Sequence, residues 1–432
     1  MCYSAAGLCY NAAMRRKQNL TADIRTQLPA ELVSFLEQAG RLAADQGQHL
    51  YLVGGLVRDL LLHRQNFDLD LVIEGDTVPL AHKLEALTRA KLVIHSAFQT
   101  ANLRWDKWSV DLVMARSETY RKPGALPTVQ PGSLMSDMYR RDFAINAMAI
   151  DLAPKSFGEL IDYLGGWEDL LNRQIRVMHN DSFIDDATRI WRAIRYEQRL
   201  GFHLENNTRR LLKRDILMLE TISKDRIRHE LEASFREECP EKVLKRAAGL
   251  GVLAMLHPAV KADRWLGIKF NQARKLTGKN PPPLALYYAL LAYRLSLKEA
   301  EEFSDRLRLS RAESEIVTDT VGLKTRLDST VQPGLTRSKV YTLLEEYPAV
   351  TISANLIAAS ASSVRRWLKL YQDKLCHVRT ILSGSDLVEM GITPGPTMKA
   401  ILREVLNARL DGKVHSREDE IDIVKTWQRK DN

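Results

Sequence analysis

The chain has few cysteines and no long apolar run, and these absences argue against several classes of protein. Its four cysteines are scattered over 432 residues, with no Cys-x-x-Cys pair and no histidine spacing typical of zinc. The sequence therefore indicates neither a disulfide framework nor a zinc site, and a reducing cytoplasm is the expected location. No apolar run approaches the roughly twenty residues that span a bilayer, so we expect no membrane association.

The first residues also lack the features of a secretory signal. The segment MCYSAAGLCYNAAMRRKQN has no basic region before its short apolar stretch. We expect residues 1–21 to form a disordered extension, with Met14 as an alternative translation start.

What the chain does have is an ordinary globular composition with an excess of positive charge. Hydrophobic residues make up 45% and charged residues 27% of the sequence, and the length suggests roughly three domains. The formal net charge of +9 favours an anionic partner, of which nucleic acid is the commonest.

The most informative segment is LYLVGGLVRDLLLHRQNFDLDLVIEGD, which begins at residue 50. Its first strand runs into Gly54 and Gly55, and Arg58 opens a helix. The glycines supply bare backbone N–H groups that a phosphate can approach closely.

The second strand of this segment carries two aspartates, Asp68 and Asp70. Alternation puts them on one face, with Phe67, Leu69 and Leu71 facing a core. Two neighbouring carboxylates repel each other unless a cation lies between them, and hard oxygen ligands suit Mg²⁺. A lone Asp-x-Asp is more often a solvated turn. Its combination with the two glycines predicts a nucleoside triphosphate site for two-metal chemistry.

The rest of the chain predicts an α/β head followed by a helical remainder. Strand-like runs are LYLVGG, FDLDLVI, KLVIHS, ANLRW and WSVDLVMA, and VPLAHKLEALTRA is helical. Residues 22–48 form an amphipathic helical region. From about residue 185 the strand signals vanish, and amphipathic helices follow one another to the C-terminus.

These motifs closely resemble the head-domain signature of the DNA polymerase β-like nucleotidyltransferases, in the class II branch that holds tRNA CCA-adding enzymes and bacterial poly(A) polymerases. The resemblance covers residues 50–260, and it continues more weakly beyond them. It implies an α+β fold, in which a polymerase β-like head of mixed sheet and helices precedes an all-α neck, body and tail. The expected bounds are 22–180 for the head, 181–260 for the neck, 261–380 for the body and 381–432 for the tail.

A third carboxylate lies in WSVDLVMAR, where Asp111 is flanked by apolar residues and looks buried. An aspartate in such a place needs a partner, which could simply be an arginine. Its position after the Asp-x-Asp strand matches the third carboxylate of the polymerase β-like site, which implies that it accepts or orients the proton of an attacking hydroxyl.

The segment YRRDFAINAMAID is similar to the family motif RRDFxxNA. The resemblance implies that Arg141 and Asn146 bind the triphosphate and that Asp142 accepts a hydrogen bond from the ribose 2′-hydroxyl. From the residues alone, Asp142 could instead cap a helix that starts at INAMA.

The segment SFIDDATRIWRAIRYEQRLGF resembles the amino-acid template of the family, usually Glu-Asp-x-x-Arg, with Asp185 in place of the glutamate. Asp186 and Arg189 are expected on one face of a helix, where their acceptors and donors would read the Watson–Crick edge of CTP or ATP. Arg192 and Arg195 would face the phosphates. The alternative is an exposed salt bridge between residues three apart.

A Gly- and Pro-containing segment, SETYRKPGALPTVQPGSLMS, follows Arg116 and reads as a mobile connector. The resemblance implies a flexible loop that helps to switch specificity from CTP to ATP. The loop is roughly full length, which argues against a CC-only enzyme. Its best-placed polar residues are Glu118, Arg121 and Lys122.

Basic residues cluster along the helical part of the chain. Any one cluster is more often a solvated helix face, but together they fit a sequence-independent grip on a tRNA acceptor arm. The clusters are Arg209, Arg210, Lys213 and Arg214; Lys242, Lys245 and Arg246; and Arg365, Arg366 and Lys369.

The resemblance therefore implies template-independent addition of CMP and AMP from CTP and ATP to the 3′ end of tRNA, as CCA addition or repair, with release of pyrophosphate. Two Mg²⁺ ions would be held by Asp68 and Asp70, and no obligate protein partner is expected. Gly54, Gly55, Arg58 and the residues of the RRDFxxNA motif would cradle the triphosphate. The alternatives are a poly(A) polymerase, an A-adding or CC-adding enzyme, or an inactive RNA-binding descendant of the fold.

Overall fold

The computed structural model describes residues 18–95, 99–119, 124–125, 127–278, 280–330 and 334–431. It divides the chain into two compact units, the first ending at Ser223 and the second beginning at Lys224. The finer bounds of head, neck, body and tail stay predictions. The expected extension ends at residue 21, but Leu20 is already buried and its N–H donates to the carbonyl of Gly158 over 2.7 Å.

The described part of the first unit is built on a seven-stranded mixed sheet with the order β3-β4-β5-β2-β1-β8-β9. Only the β2–β5 pair of this sheet is parallel among the described strands. The strands in chain order are β1 (His49–Val53), β2 (Leu69–Glu74), β3 (Lys91–His95), β4 (Thr100–Trp105), β5 (Trp108–Met114), β6 (Arg116–Thr119), β7 (Thr128–Pro131), β8 (Ala149–Asp151), β9 (Leu160–Ile161), β10 (Gln174–Ile175) and β11 (His203–Leu204).

Helices pack on this sheet and make up most of the second unit. Those of the first unit are α1 (Thr21–Gln27), α2 (Ala30–Ala44), α3 (Gly55–Leu61), α4 (Thr77–Thr88), α5 (Leu134–Tyr139), α6 (Gly166–Leu171), α7 (Ser182–Asp185), α8 (Thr188–Leu200) and α9 (Asn206–Arg214). Those of the second unit are α10 (Lys224–Phe235), α11 (Pro240–Gly249), α12 (Arg264–Thr277), α13 (Leu284–Ala292), α14 (Leu297–Leu307), α15 (Arg311–Thr330), α16 (Arg337–Leu344), α17 (Ala349–Ala358), α18 (Ser362–Asp373), α19 (Gly384–Glu389), α20 (Pro396–Leu410) and α21 (Arg417–Asp431).

The predicted α+β fold is confirmed, and so are its five long strands. Leu69 and Leu71 of β2 are fully buried, as alternation requires. The prediction for Phe67 is wrong, because β2 begins only at Leu69. Phe67 is 38% exposed and packs edge-on against the ring of Trp108, with ring centroids 5.8 Å apart.

Two short stretches differ from the helical prediction. Strands β10 and β11 pair in parallel, so the strand signal does not end at residue 185. The INAMA segment forms only a 3₁₀ turn, Ala144–Asn146, before β8 begins. The chain enters the sheet there, and Ala149 pairs with Val53 of β1.

The second unit has a mainly apolar interior. One buried cluster is formed by residues of α15 to α18, including Leu344 and Leu368, and a smaller one lies at the C-terminal end around Leu387 and Ile401. As predicted, the Pro-Gly-Pro segment separates α19 from α20, which begins at Pro396. Within the described residues no helix is both long and apolar enough to cross a membrane.

Candidate active site

Three aspartates meet near the start of the central strand β2, at a place that we call the carboxylate edge. Asp70 on β2 is the register partner of Val53 on β1 and of Asp111 on the parallel strand β5. Asp68 lies directly before β2, where its N–H donates to the side-chain oxygen of Asn66 over 3.0 Å. The structure thus brings together the three carboxylates that the sequence predicted.

The charges of these aspartates are incompletely compensated. Burial and the nearby charge of Asp68 raise the pKa of Asp70 to about 6, and Asp111 adds to the effect while Arg141 opposes it. Hard carboxylate oxygens in mutual repulsion fit a divalent cation. Among the described residues no group of three or more acidic, histidine or cysteine side chains is placed to hold a metal ion by itself. Substrate oxygens would therefore have to complete the coordination of such a cation.

Gly54 occupies a position that a side chain cannot share. Its φ is +78°, and a Cβ atom there would lie 3.0 Å from Oδ2 of Asp70 and 3.2 Å from Nη1 of Arg141. The backbone between β1 and α3 can therefore approach the carboxylates closely only with glycine. Gly55 follows as the first residue of α3.

Asp111 differs from the sequence prediction in its surroundings. It is exposed rather than buried, and its partner is an asparagine, because Nδ2 of Asn102 donates to Oδ1 of Asp111 over 2.6 Å. Asn102 lies opposite Asp111 in the antiparallel β4–β5 pair and also contacts Oγ of Ser109 at 3.2 Å. The sequence analysis missed Asn102, although a polar residue in the middle of the predicted strand ANLRW was a usable signal.

Arg58 lies beneath the site in a buried polar network. It is 2% exposed and donates from Nε and Nη2 to the carboxylate of Asp59 over 2.9 and 2.8 Å. Its Nη1 donates to Oδ1 of Asn146 over 2.6 Å. Asn66 donates to the same carboxylate of Asp59 over 2.8 Å. Arg58, which the sequence predicted to bind phosphate, thus connects its own helix α3 to the RRDFxxNA segment.

The network continues to Asp142, whose two oxygens both accept hydrogen bonds. Oδ1 accepts from the N–H of Phe143 at 2.9 Å and from Asn146 at 3.0 Å. Oδ2 accepts from Nε and Nη2 of Arg192 at 2.9 and 2.6 Å. Burial favours the neutral acid, but Arg192 and Asn146 outweigh it and hold the pKa of Asp142 below its ordinary value. Asp142 is therefore a charged acceptor beside a 3₁₀ turn, and it does not cap an α-helix.

Asp137 is another buried carboxylate, which the sequence analysis did not single out. It has no exposed surface and pairs with both arginines of the motif. Oδ1 accepts from Arg140 over 2.7 Å, and Oδ2 accepts from Arg141 over 2.9 Å. Because α5 carries Asp137, this helix fixes the direction in which Arg141 reaches toward Asp70.

The two predicted base-reading residues do not share a helix face, and that part of the prediction is wrong. Asp186 lies in extended conformation between α7 and α8, and its Oδ1 accepts from the N–H and hydroxyl of Thr188 at 3.0 and 2.7 Å. Arg189 is 4% exposed. It donates from Nη1 to the carbonyl of Ser182 over 3.2 Å and from Nη2 to that of Arg140 over 2.7 Å.

Three arginines surround the ring of Tyr196 on α8. The guanidinium carbons of Arg58, Arg192 and Arg195 lie 5.3, 5.8 and 5.5 Å from the ring centroid. Cation–π contacts of this kind hold positive charges close together at reduced repulsion. The ring is therefore the common support of three of the predicted phosphate-binding residues.

The segment predicted as a mobile loop begins and ends as an antiparallel pair of strands. Arg116 of β6 is the register partner of Pro131 of β7. Glu118 on β6 accepts from Arg116 at 3.0 Å and from Arg140 at 3.2 Å, which ties the strand pair to the motif. Arg121 and Lys122 lie outside the described residues.

The predicted basic clusters lie on α9 in the first unit and on α11 and α18 in the second, and all of their residues are exposed except the partly buried Arg246. On α9 the cluster is opposite the buried residues Leu211 and Leu212. On α18 it is opposite Val364 and Leu368. Their role in gripping RNA stays a prediction.

Three family models match successive parts of the chain. Residues 50–176 match a poly A polymerase head domain, residues 201–264 a probable RNA and SrmB-binding site of polymerase A, and residues 285–424 a putative tRNA nucleotidyltransferase domain 2. Together the three matches include parts of both units.

Whole-chain comparisons agree with the family models. The chain is 34% identical to an A-adding tRNA nucleotidyltransferase of Geobacter sulfurreducens over 95% of its own length, and it spans about half (48%) of that relative. It is 29% identical to an A-adding tRNA nucleotidyltransferase of Halalkalibacterium halodurans over 95% of this chain and 96% of the other. A solved CCA-adding enzyme in an apo form superposes with a TM-score of 0.83 at 30% identity, covering 96% of this chain and all of that one.

Proposed function

The chain belongs to the family of tRNA nucleotidyltransferases and poly(A) polymerases, and from this premise we propose that it is an active RNA nucleotidyltransferase that extends the 3′ end of tRNA. The observation that carries the proposal is the register of Asp70 with Asp111 beside Gly54. A protein that only bound RNA would have no use for three incompletely compensated carboxylates held close together.

We propose that Asp68 and Asp70 hold two Mg²⁺ ions. The pKa of Asp70 is raised first by burial and then by the charge of Asp68, and this supports the assignment, because a bound cation would stabilise the charged carboxylate. When bound, Mg²⁺ would lower the pKa of the attacking 3′-hydroxyl and neutralise charge on the triphosphate.

The chain's own residues would bind and orient the reactants. Backbone N–H groups at the start of α3 and the guanidinium of Arg141, which lies beside Asp70, would hold the triphosphate. Asp111, oriented by Asn102, would accept the proton of the 3′-hydroxyl. Arg192, held by Asp142, would present positive charge toward the phosphates.

Asp142 supports a preference for ribonucleotides. It is charged at neutral pH and fixed by Arg192 and Asn146, so it offers a rigid acceptor for the 2′-hydroxyl of the sugar. Asp186 and Arg189 would contribute to the choice of base. Arg189 is buried and donates to the carbonyls of Ser182 and Arg140. It would therefore act on the choice of base by holding these two segments in place.

Among the finer activities we propose addition of AMP to a tRNA that already ends in CC. Two relatives that align with almost the whole of this chain carry the name A-adding tRNA nucleotidyltransferase. Complete CCA addition is the second candidate, because a CCA-adding enzyme superposes over nearly the entire chain. The substrates would be ATP alone or ATP with CTP, and the cytoplasm would be the place of action.

The test is incorporation by the purified protein with Mg²⁺ and with CTP and ATP, singly and together. The substrates are a tRNA transcript without CCA, one lacking only the final A, and an unrelated RNA. One AMP added only to the CC-ending transcript supports A addition, and growth of the bare transcript by CCA and then a stop supports the second candidate. Long A tails on every RNA would indicate a poly(A) polymerase. No Mg²⁺-dependent incorporation at all would overturn the proposal.

A further inference from the structure

An exposed tyrosine stacks on a partly buried histidine near the RRDFxxNA motif. The ring of Tyr139, the last residue of α5, is stacked on the imidazole of His179 with centroids 5.3 Å apart and planes inclined by 17°. Tyr139 is 48% exposed, although the RRDF motif that follows it contains the buried residues Asp142 and Phe143. A large aromatic residue with one face supported and much of its surface open to solvent has the form of a stacking platform.

Both partners of the pair are fixed by one buried side chain, that of Arg189. Its Nη2 donates to the carbonyl of Arg140, the residue next to Tyr139. Its Nη1 donates to the carbonyl of Ser182, whose hydroxyl accepts from the N–H of His179 over 3.3 Å. Arg189 therefore joins the two segments that carry the rings and sets their separation.

The pair also lies next to the expected base-reading residues. Nε2 of His179 is 3.6 Å from Oδ2 of Asp185, which directly precedes Asp186. On the other side, Arg141 follows Tyr139 by two residues and approaches Asp70 at Gly54. Tyr139 thus lies on the segment that leads to Arg141, and its ring partner His179 lies beside the segment expected to read the base.

We propose that Tyr139 is a stacking subsite for a nucleobase, with His179 as its support and Arg189 as the residue that positions both. The proposal rests on the proposed function and deepens it. Aromatic stacking accepts any base because every base has a π-face, and hydrogen bonding at Asp186 would then choose among stacked bases. The base could come from the incoming nucleotide or from the 3′ end of the RNA, and the experiment separates these sources.

This arrangement changes the part played by Arg189. Nη1 and Nη2 of Arg189 both donate to backbone carbonyls. Loss of Arg189 would therefore disturb the positions of the two rings as well as any direct contact with a base. Arg189 is in this sense a positioning residue. Tyr139 is the residue whose ring would touch the ligand.

The first experiment measures binding of ATP to the full chain by calorimetry with Mg²⁺ and without RNA. Loss of one base–aromatic stack weakens binding by about 5- to 150-fold, so we expect Tyr139→Leu to bind ATP about tenfold more weakly if the incoming base stacks there. Tyr139→Phe, which keeps the ring, should bind like the wild type. Ribose 5-triphosphate, which lacks a base, should bind equally to all three proteins.

The second experiment tests the other source of the base. The Kd of a CC-ending tRNA transcript is compared with that of the same transcript carrying an abasic 3′-terminal position. If the RNA end stacks on Tyr139, Tyr139→Leu should weaken binding of the normal transcript about tenfold, and the abasic transcript should not distinguish the two proteins. If neither ATP nor the normal transcript binds more weakly to Tyr139→Leu, the proposal is overturned.

Two controls separate this proposal from instability and from the proposed function. Tyr163→Leu removes another exposed tyrosine, 39% exposed, and should leave both affinities unchanged. Thermal unfolding of each variant identifies a folding defect, and Tyr139→Phe provides a folded variant with the ring retained. A wild-type chain that binds ATP but adds no nucleotide would refute the proposed function, while the comparison between variants would still decide the stacking proposal.

Discussion

The two units of the chain bury different kinds of side chain. Among the described residues, the first unit buries eight charged side chains, namely Arg58, Asp59, Asp137, Asp142, Asp169, Arg189, Glu197 and Asp215. The described part of the second unit buries two, Lys269 and Glu420. Charge in the second unit lies instead on exposed helix faces such as that of α18.

We propose that this difference reflects different roles of the two units. Buried ion pairs contribute little net stability, because the cost of removing charges from water offsets their attraction. In the first unit they link Arg58 to Asn146, Asp142 and Arg192, which fixes the side chains around the carboxylate edge. The second unit has an apolar core and exposed cations, which suit adaptable contact with a phosphate backbone.

The largest effect should come from the carboxylates of the first unit. Asp70→Asn keeps the size of the side chain but removes its charge, and we expect nucleotide incorporation to fall by at least about 1,000-fold because cation stabilisation of the phosphates is lost. Asp68→Ala should do the same. Binding of tRNA, measured by filter retention, should stay within about twofold of the wild type. Near-normal turnover by either variant would contradict the assignment of metal ligands.

Two substitutions of buried charged residues, one in each unit, test whether the units differ in how much such residues contribute to the free energy of unfolding. Asp137→Ala leaves Arg140 and Arg141 without their shared partner, and we expect it to lower the free energy of unfolding by about 3–5 kcal/mol. Lys269→Met in the second unit should lower it by only about 1 kcal/mol, since Lys269 makes one hydrogen bond to the carbonyl of Ile357 in a mainly apolar core. Denaturant unfolding measures both, and equal losses would remove the proposed difference between the units.

The pH dependence of the reaction should report the raised pKa of Asp70. With a pKa of about 6, this carboxyl is mostly protonated at pH 5 and mostly charged at pH 7. Because the charged form would bind the cation, the incorporation rate at limiting Mg²⁺ should rise about tenfold from pH 5 to pH 7. A higher Mg²⁺ concentration should shift the midpoint to lower pH. A rate that is flat over this range would exclude titration of Asp70 in the active enzyme.

The smallest effect should come from the exposed cations of the second unit. Replacing Arg365, Arg366 and Lys369 together by alanine should weaken tRNA binding several-fold and reduce the salt dependence of binding by about one unit of slope for each lost phosphate contact. The control replaces Lys298 and Arg311, which are 85% and 93% exposed but pair with glutamates on their own helices. A change in kcat with unaltered affinity in the triple variant would contradict a binding role.

Much of this organisation could be predicted from local sequence. Asp70 and Gly54 were found because strand alternation and a strand–glycine–helix junction are properties of neighbouring residues. The five long strands were likewise predicted from local patterns, whereas the mixed sheet was implied by the family resemblance.

The parts that could not be predicted depend on contacts between distant segments. Asn102 meets Asp111 only because β4 and β5 pair in a particular register. Arg189 reaches the carbonyl of Arg140 across 49 positions of the chain, which no periodicity reveals. The position of Asp186 outside the helix depends on where α8 begins, and a shift of two residues at a helix start is below the resolution of sequence patterns.

The most direct test of the account is the single-turnover rate of AMP addition to a CC-ending tRNA, measured against enzyme concentration for the wild type, Asp70→Asn and the triple α18 variant. We predict that Asp70→Asn lowers the maximal rate by at least about 1,000-fold without moving the half-saturating concentration. The triple variant should raise that concentration several-fold and leave the maximal rate unchanged. A wild-type maximal rate in Asp70→Asn would contradict the claim that the carboxylate edge of the first unit performs the chemistry.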